Sequence, residues 1–137
     1  MIKALFATPA LFLLALLPQT PSAPDAAANP PLVIPAAAAA VPNPVKSTPE
    51  NQAFAKKVYG YDCAMCHGPK GDGKGEMVDS MKLTMKDFSN PATLSGRTDG
   101  ELFWVIKNGV GQMPGETGRQ TDAQIWAMVH YVRGFSK

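Results

Sequence analysis

Cys63-Ala64-Met65-Cys66-His67 decides how the chain is read, because it holds both cysteines and one of the two histidines among 137 residues. Two thiols three positions apart stand about one helical turn from each other, so both can reach one edge of a flat macrocycle. C-x-x-C-H is the attachment signal of a c-type haem. In that reading Cys63 and Cys66 form thioethers with the porphyrin vinyl groups and His67 is carried under the iron. One imidazole nitrogen binds, while the other donates to an acceptor that sets ring orientation and basicity. Three other owners compete for the run. A structural zinc site needs four ligands, and among cysteines and histidines only His130 remains to complete the set. A redox dithiol belongs beside a βαβ pattern, and a disulfide would staple a small secreted domain. The sequence after residue 47 shows no clear strands, which favours haem.

The chain divides into three parts by composition. Lys3 precedes an apolar run that includes Leu11-Phe12-Leu13-Leu14-Ala15-Leu16-Leu17, too short for the roughly 20 residues of a membrane span and suited to an export signal. Residues 1–23 are read as that signal peptide, with position 28 as the alternative cut, and a periplasmic or otherwise exported location follows. A retained segment would instead tether the protein to a membrane. Residues 24–47 are rich in proline and alanine and are expected to be a disordered linker, because prolines remove backbone donors and forbid a continuous helix. Residues 48–137 then form one domain whose own core would be marginal at that size, so a buried cofactor would supply missing apolar surface. The net charge of +2 carries no basic run, and nothing points to nucleic acid.

Within the domain every regular segment reads as helix. Thr48-Pro49-Glu50 opens one, with Phe54, Val58 and Tyr61 on its apolar stripe, and it is expected to run into the cysteines. Thr98-Asp99-Gly100-Glu101 and Thr121-Asp122-Ala123-Gln124 are capping boxes that open two more. Leu102, Val105 and Ile106 face inward from the first, and Ile125, Met128, Val129 and Val132 from the second. Gly68-Pro69-Lys70-Gly71-Asp72-Gly73 must be loop. It lacks the preceding strand and the glycine spacing of a phosphate cradle.

The iron needs a ligand opposite His67. Met77, Met81 and Met85 recur at four-residue spacing, which suits a helix face packed into a core. Met113 lies instead in the loop Gly111-Gln112-Met113-Pro114-Gly115, where Pro114 can hold a soft thioether sulfur at a defined point; it is the expected second ligand. His130, on the last helix, is read as a polar residue at the helix edge. Lys70, Lys74, Lys107 and Arg119 are read as solvated charge, with a ring around an exposed cofactor edge as the alternative.

Residues 50–135 resemble class I c-type cytochromes, the small bacterial monohaem type. The resemblance rests on Cys63, Cys66, His67, Met113, the loop Gly68 to Gly73 and the stretch Lys107 to Pro114. It implies an all-α cytochrome c fold with long loops, in which the N- and C-terminal helices cross over one covalent haem c. Ala55 and Tyr59 would meet Met128 and Tyr131 at the crossing. Ala55 stands where many relatives have glycine, so a slightly wider crossing is expected, and Met85 stands where they often have proline. The implied function is that of an electron carrier, not an enzyme, which passes single electrons from a redox protein donor to an acceptor. A tethered haem module of a membrane oxidoreductase, and a five-coordinate haem enzyme or gas sensor, are the alternatives.

Overall fold

The computed structural model describes residues 32–137. The expected signal segment, residues 1–23 with 28 as the alternative cut, lies outside the described residues, as does the start of the proline-rich linker. The described chain is helical. Its helices are α1 Ala36–Ala39, α2 Pro49–Val58, α3 Ala64–His67, α4 Pro91–Ser95, α5 Asp99–Asn108 and α6 Asp122–Arg133. Only the isolated bridges Val110 to Met113 and Thr117 to Gln120 appear in place of strands among the described residues.

Local signals in the sequence account for the helix starts. Thr48 Oγ1 accepts from the Asn51 amide at 3.2 Å, and Pro49 fills the first helical position, where no amide donor is needed. Thr98 and Glu101 close one capping box, Thr121 and Gln124 the other. The run from α2 into the cysteines is not one continuous α-helix, because Tyr59–Cys63 form a π turn. The widened turn breaks the 3.6 period, and Tyr61, on the apolar stripe by spacing, is 54% exposed. The methionine series also differs from its expected helix face. Residues 76–82 are turns, pinned by the Met77 amide on Met65 O at 2.9 Å.

The core forms where α2 crosses α6. Ala55 and Val58 pack with Ile125, Met128 and Val129, and none of the five is more than 2% exposed. Burial of each of the larger four contributes about 1.5–3 kcal/mol. Tyr59 and Tyr131 continue the crossing with ring centroids 5.4 Å apart, and Phe103 stacks on Trp126 at 4.1 Å.

Composition suggested a disordered linker up to residue 47, but the structure lays its second half against the domain. Thr98 Oγ1 donates to Ala39 O at 2.7 Å, Asn43 Nδ2 donates to Trp126 O at 3.0 Å, and His130 Nε2 lies 2.7 Å from Val45 O. Prolines lack donors, yet every carbonyl along such a segment stays available to an outside donor. Alanines also let α1 come close to α5. A Cβ on Gly100 would stand 2.1 Å from Ala38 O.

Candidate functional site

A cavity of about 520 Å³ opens beside α3, within the range of about 300–1,000 Å³ typical of cofactor sites. Cys63, Cys66 and His67 line it on the side of the π turn and α3, and Met113 and Pro114 line it from the loop after α5. Leu102 and Val105 of α5 add apolar wall, and Leu32 and Ile34 reach it from before α1. The fold thus brings together all four residues singled out in the sequence. Met81 and Met85 also line the cavity, whereas His130 is engaged with Val45 O outside it.

Two loops hold the walls. The glycine-rich stretch folds back on the attachment run, with the Gly73 amide on His67 O at 2.8 Å and the Gly75 amide on Cys66 O at 3.3 Å. Tyr59 Oη donates to Gly68 O at 2.8 Å. In the other loop, Val110 and Met113 exchange backbone hydrogen bonds of 3.0 and 2.9 Å, which close a tight turn. Gly109 makes that turn possible twice over, with φ of 76° and a Cβ position only 2.3 Å from Met113 O.

The electrostatics separate the donors. Burial holds the His67 imidazole below its ordinary pKa, so the neutral form that ligates metals is favoured. Its ring stacks on Phe88 at 4.9 Å, and its Nδ1 is buried with no hydrogen-bond partner among the described residues. Burial pushes the Cys63 thiol up to about 12, with Glu116 and Asp62 pushing the same way. That is opposite to the low pKa of a reactive redox dithiol. Two thiols, a neutral imidazole with an orphaned nitrogen, a thioether and apolar walls around one cavity fit a covalently held haem. No group of three or more cysteine, histidine or acidic side chains able to hold a bare metal ion occurs among the described residues.

The sequence reading missed Glu116. It is 5% exposed, lines the cavity, and has Oε2 buried without a hydrogen-bond partner among the described residues. Burial raises its pKa; Arg119, 3.7 Å away through Nε, lowers it, and Asp62 raises it. Arg119 is hydrogen-bonded to Asp62, and Lys107 bridges both carboxylate oxygens of Asp122 at 2.7 and 2.9 Å. Both basic residues are therefore paired rather than free. Pro114-Gly115-Glu116 reads in sequence as a surface turn, and no periodic signal marks the acid as buried.

Comparison with known proteins identifies the family and the fold. The family model for cytochrome c oxidase, cbb3-type, subunit III matches residues 50–132. A reducing HAO-like protein complex of Kuenenia stuttgartiensis contains a chain similar in fold, with TM-score 0.60 and 22% identity over 69% of this chain and 47% of that one. The present chain thus spans about half of that relative's length. The KustC0563 c-type cytochrome is similar with TM-score 0.53 and 24% identity, over 61% of this chain and 98% of that one. No curated protein sequence matches the chain. The family match covers most of the described domain, and the chain belongs to the cytochrome c family of cbb3-type oxidase subunit III, a class I c-type cytochrome with covalently bound haem c.

Proposed function

We propose that this protein is an exported carrier of single electrons, with Cys63 and Cys66 as the thioether attachments and His67 and Met113 as the axial ligands of its haem iron. The observation that supports this most is the convergence on one cavity of Met113 with Cys63, Cys66 and His67, although about fifty residues separate the two groups. Haem c supplies, when bound, a one-electron couple, and paired histidine and methionine ligands raise its potential. His67 offers a neutral ring nitrogen. Met113 offers a soft sulfur held by Pro114 and the Gly109 turn. Leu102, Val105 and Phe88 line the cavity with apolar surface, beside which charges interact more strongly than in water. The short apolar run before residue 18 supports export, and no helix among the described residues is long and apolar enough to cross a membrane. Partners would be a redox protein donor and acceptor that dock briefly near the cavity mouth. One observation favours a second reading as a tethered haem module: the family takes its name from an oxidase subunit.

Visible spectra of the purified protein in both oxidation states test the ligand set. Wild-type ferrous protein should bind carbon monoxide poorly, and Met113→Ala should bind it readily. Ready binding by wild type, unchanged in Met113→Ala, would count against the carrier and for an open-site enzyme or sensor.

A further inference from the structure

Glu116 is the one buried carboxylate among the described residues, and the ligand set gives it no task. Its backbone is pinned, with its amide on Ile106 O at 2.9 Å and its carbonyl accepting from the Arg119 and Gln120 amides, both at 3.0 Å. The side chain stands in the cavity wall beside Cys63, whose thiol feels its charge. Arg119 Nε at 3.7 Å is beyond a hydrogen bond, and its guanidinium is already engaged by Asp62. An unsatisfied buried carboxyl oxygen is costly as an anion unless a proton or a positive charge joins it. In this cavity the positive charge changes by one unit with each electron.

We propose that Glu116 takes up a proton when the haem is reduced and releases it when the haem is oxidised, so that electron transfer is coupled to proton transfer. The inference rests on the carrier reading. On reduction, one electron arrives from the donor protein and one proton from solvent converts the Glu116 carboxylate to the carboxylic acid. On oxidation, the electron leaves to the acceptor and the proton returns to water. No bond to carbon forms or breaks, and the net charge around the cavity stays constant. Inside a poorly solvated cavity a unit charge acts on its neighbour far more strongly than in water, so the oxidised cofactor favours the anion. Linkage then requires the converse: ionisation of Glu116 favours the oxidised state by the same factor. The groups that face Glu116 are Asp62 and Cys63 from the π turn and Arg119 from its own loop. Lys82, Lys86, Arg97 and Glu101 line other parts of the cavity.

The test is the midpoint potential of the holoprotein as a function of pH, with the visible spectrum followed to confirm constant ligation. The wild-type potential should fall as pH rises, at steepest by a factor of ten in the redox equilibrium per pH unit, about 59 mV for a one-electron couple. Glu116→Gln should flatten the curve. Asp62→Asn removes a like charge and should move the inflection to lower pH, while Arg119→Gln removes an opposite charge and should move it to higher pH. A wild-type potential that does not vary with pH, or a slope that survives Glu116→Gln, overturns the proposal. Should Glu116→Gln fail to fold, the opposed shifts of the other two variants decide, and shifts of one sign or none overturn it. Failure of the carrier reading is distinct, since the wild-type ferrous protein would then bind carbon monoxide readily, whatever the slope of its potential with pH.

Discussion

Tyr59 joins three parts of the molecule through one side chain. Its ring packs on Tyr131 at 5.4 Å and Phe135 at 5.0 Å, and its hydroxyl holds the Gly68 carbonyl at the exit of the attachment run. Burial raises the phenol above its ordinary pKa, with the negative charges of Tyr131 and Asp72, where ionised, adding to the effect. The sign of the linkage follows. Above the unfolded phenol value of about 10 the folded state retains a proton that the unfolded state has lost, so stability falls as pH rises. Tyr59→Phe should cost about 0.5–1.5 kcal/mol at neutral pH, because the Gly68 carbonyl loses one of two donors and keeps the Gly71 amide. It should also lessen the alkaline fall, of which a part stays with Tyr131, whose phenol burial raises too, and thermal melts across pH measure both. At this scale the grouping of Cys63, Cys66, His67 and Met113 was readable, since attachment demands contiguous spacing and Gly111 to Gly115 allow no regular face. Glu116 was not readable. Its burial comes from the long-range approach of the Met113 loop to the π turn, which leaves no local pattern.

Capping separates two helices that look alike in sequence. Thr98 and Thr121 each close a capping box, at α5 and α6, but Thr98 Oγ1 also donates to Ala39 O. Thr121→Ala should therefore lose only a cap, about 0.5–2 kcal/mol. Thr98→Ala should lose a cap of that size and a further hydrogen bond of about 0.5–1.5 kcal/mol. Chemical denaturation should rank Thr98→Ala as the less stable of the two, and equal losses would deny α1 any hold on α5. Both caps were legible because they are local and need only four residues. The π turn Tyr59–Cys63 was not, since one extra residue in a turn leaves the apolar spacing on either side nearly unchanged. The Met77, Met81, Met85 spacing misled for a related reason. Its period suits a helix, but hydrogen bonds from the 75–77 turn to Met65 O and Cys66 O hold that stretch in turns.

At the scale of the whole molecule, the proline-rich strap before Thr48 belongs to the haem domain. Leu32 and Ile34 line the cavity, and three tertiary hydrogen bonds tie residues 39, 43 and 45 to α5 and α6. Composition could not show this, because it reports what a segment fails to build alone and not which outside donors reach its carbonyls. Gly100→Ala weighs the two effects against each other. In an isolated helix the change would stabilise α5 by up to about 1 kcal/mol. Here the new methyl would stand 2.1 Å from Ala38 O and 3.0 Å from Ala39 O, both backbone atoms that cannot rotate away. α1 must then shift, and the adjacent Thr98 bond to Ala39 O is the first to loosen. Loss of that one bond, about 1 kcal/mol, raises the population of the lifted strap about fivefold. Proteolysis within residues 35–47 should accelerate by that factor, because cleavage follows the open population when reclosing is fast. The haem spectrum should keep its ligand bands, since neither His67 nor Met113 touches the strap through these bonds. A Gly100→Ala protein cut no faster than wild type, and more stable by the helix increment, would show that the strap contributes nothing to the closed domain.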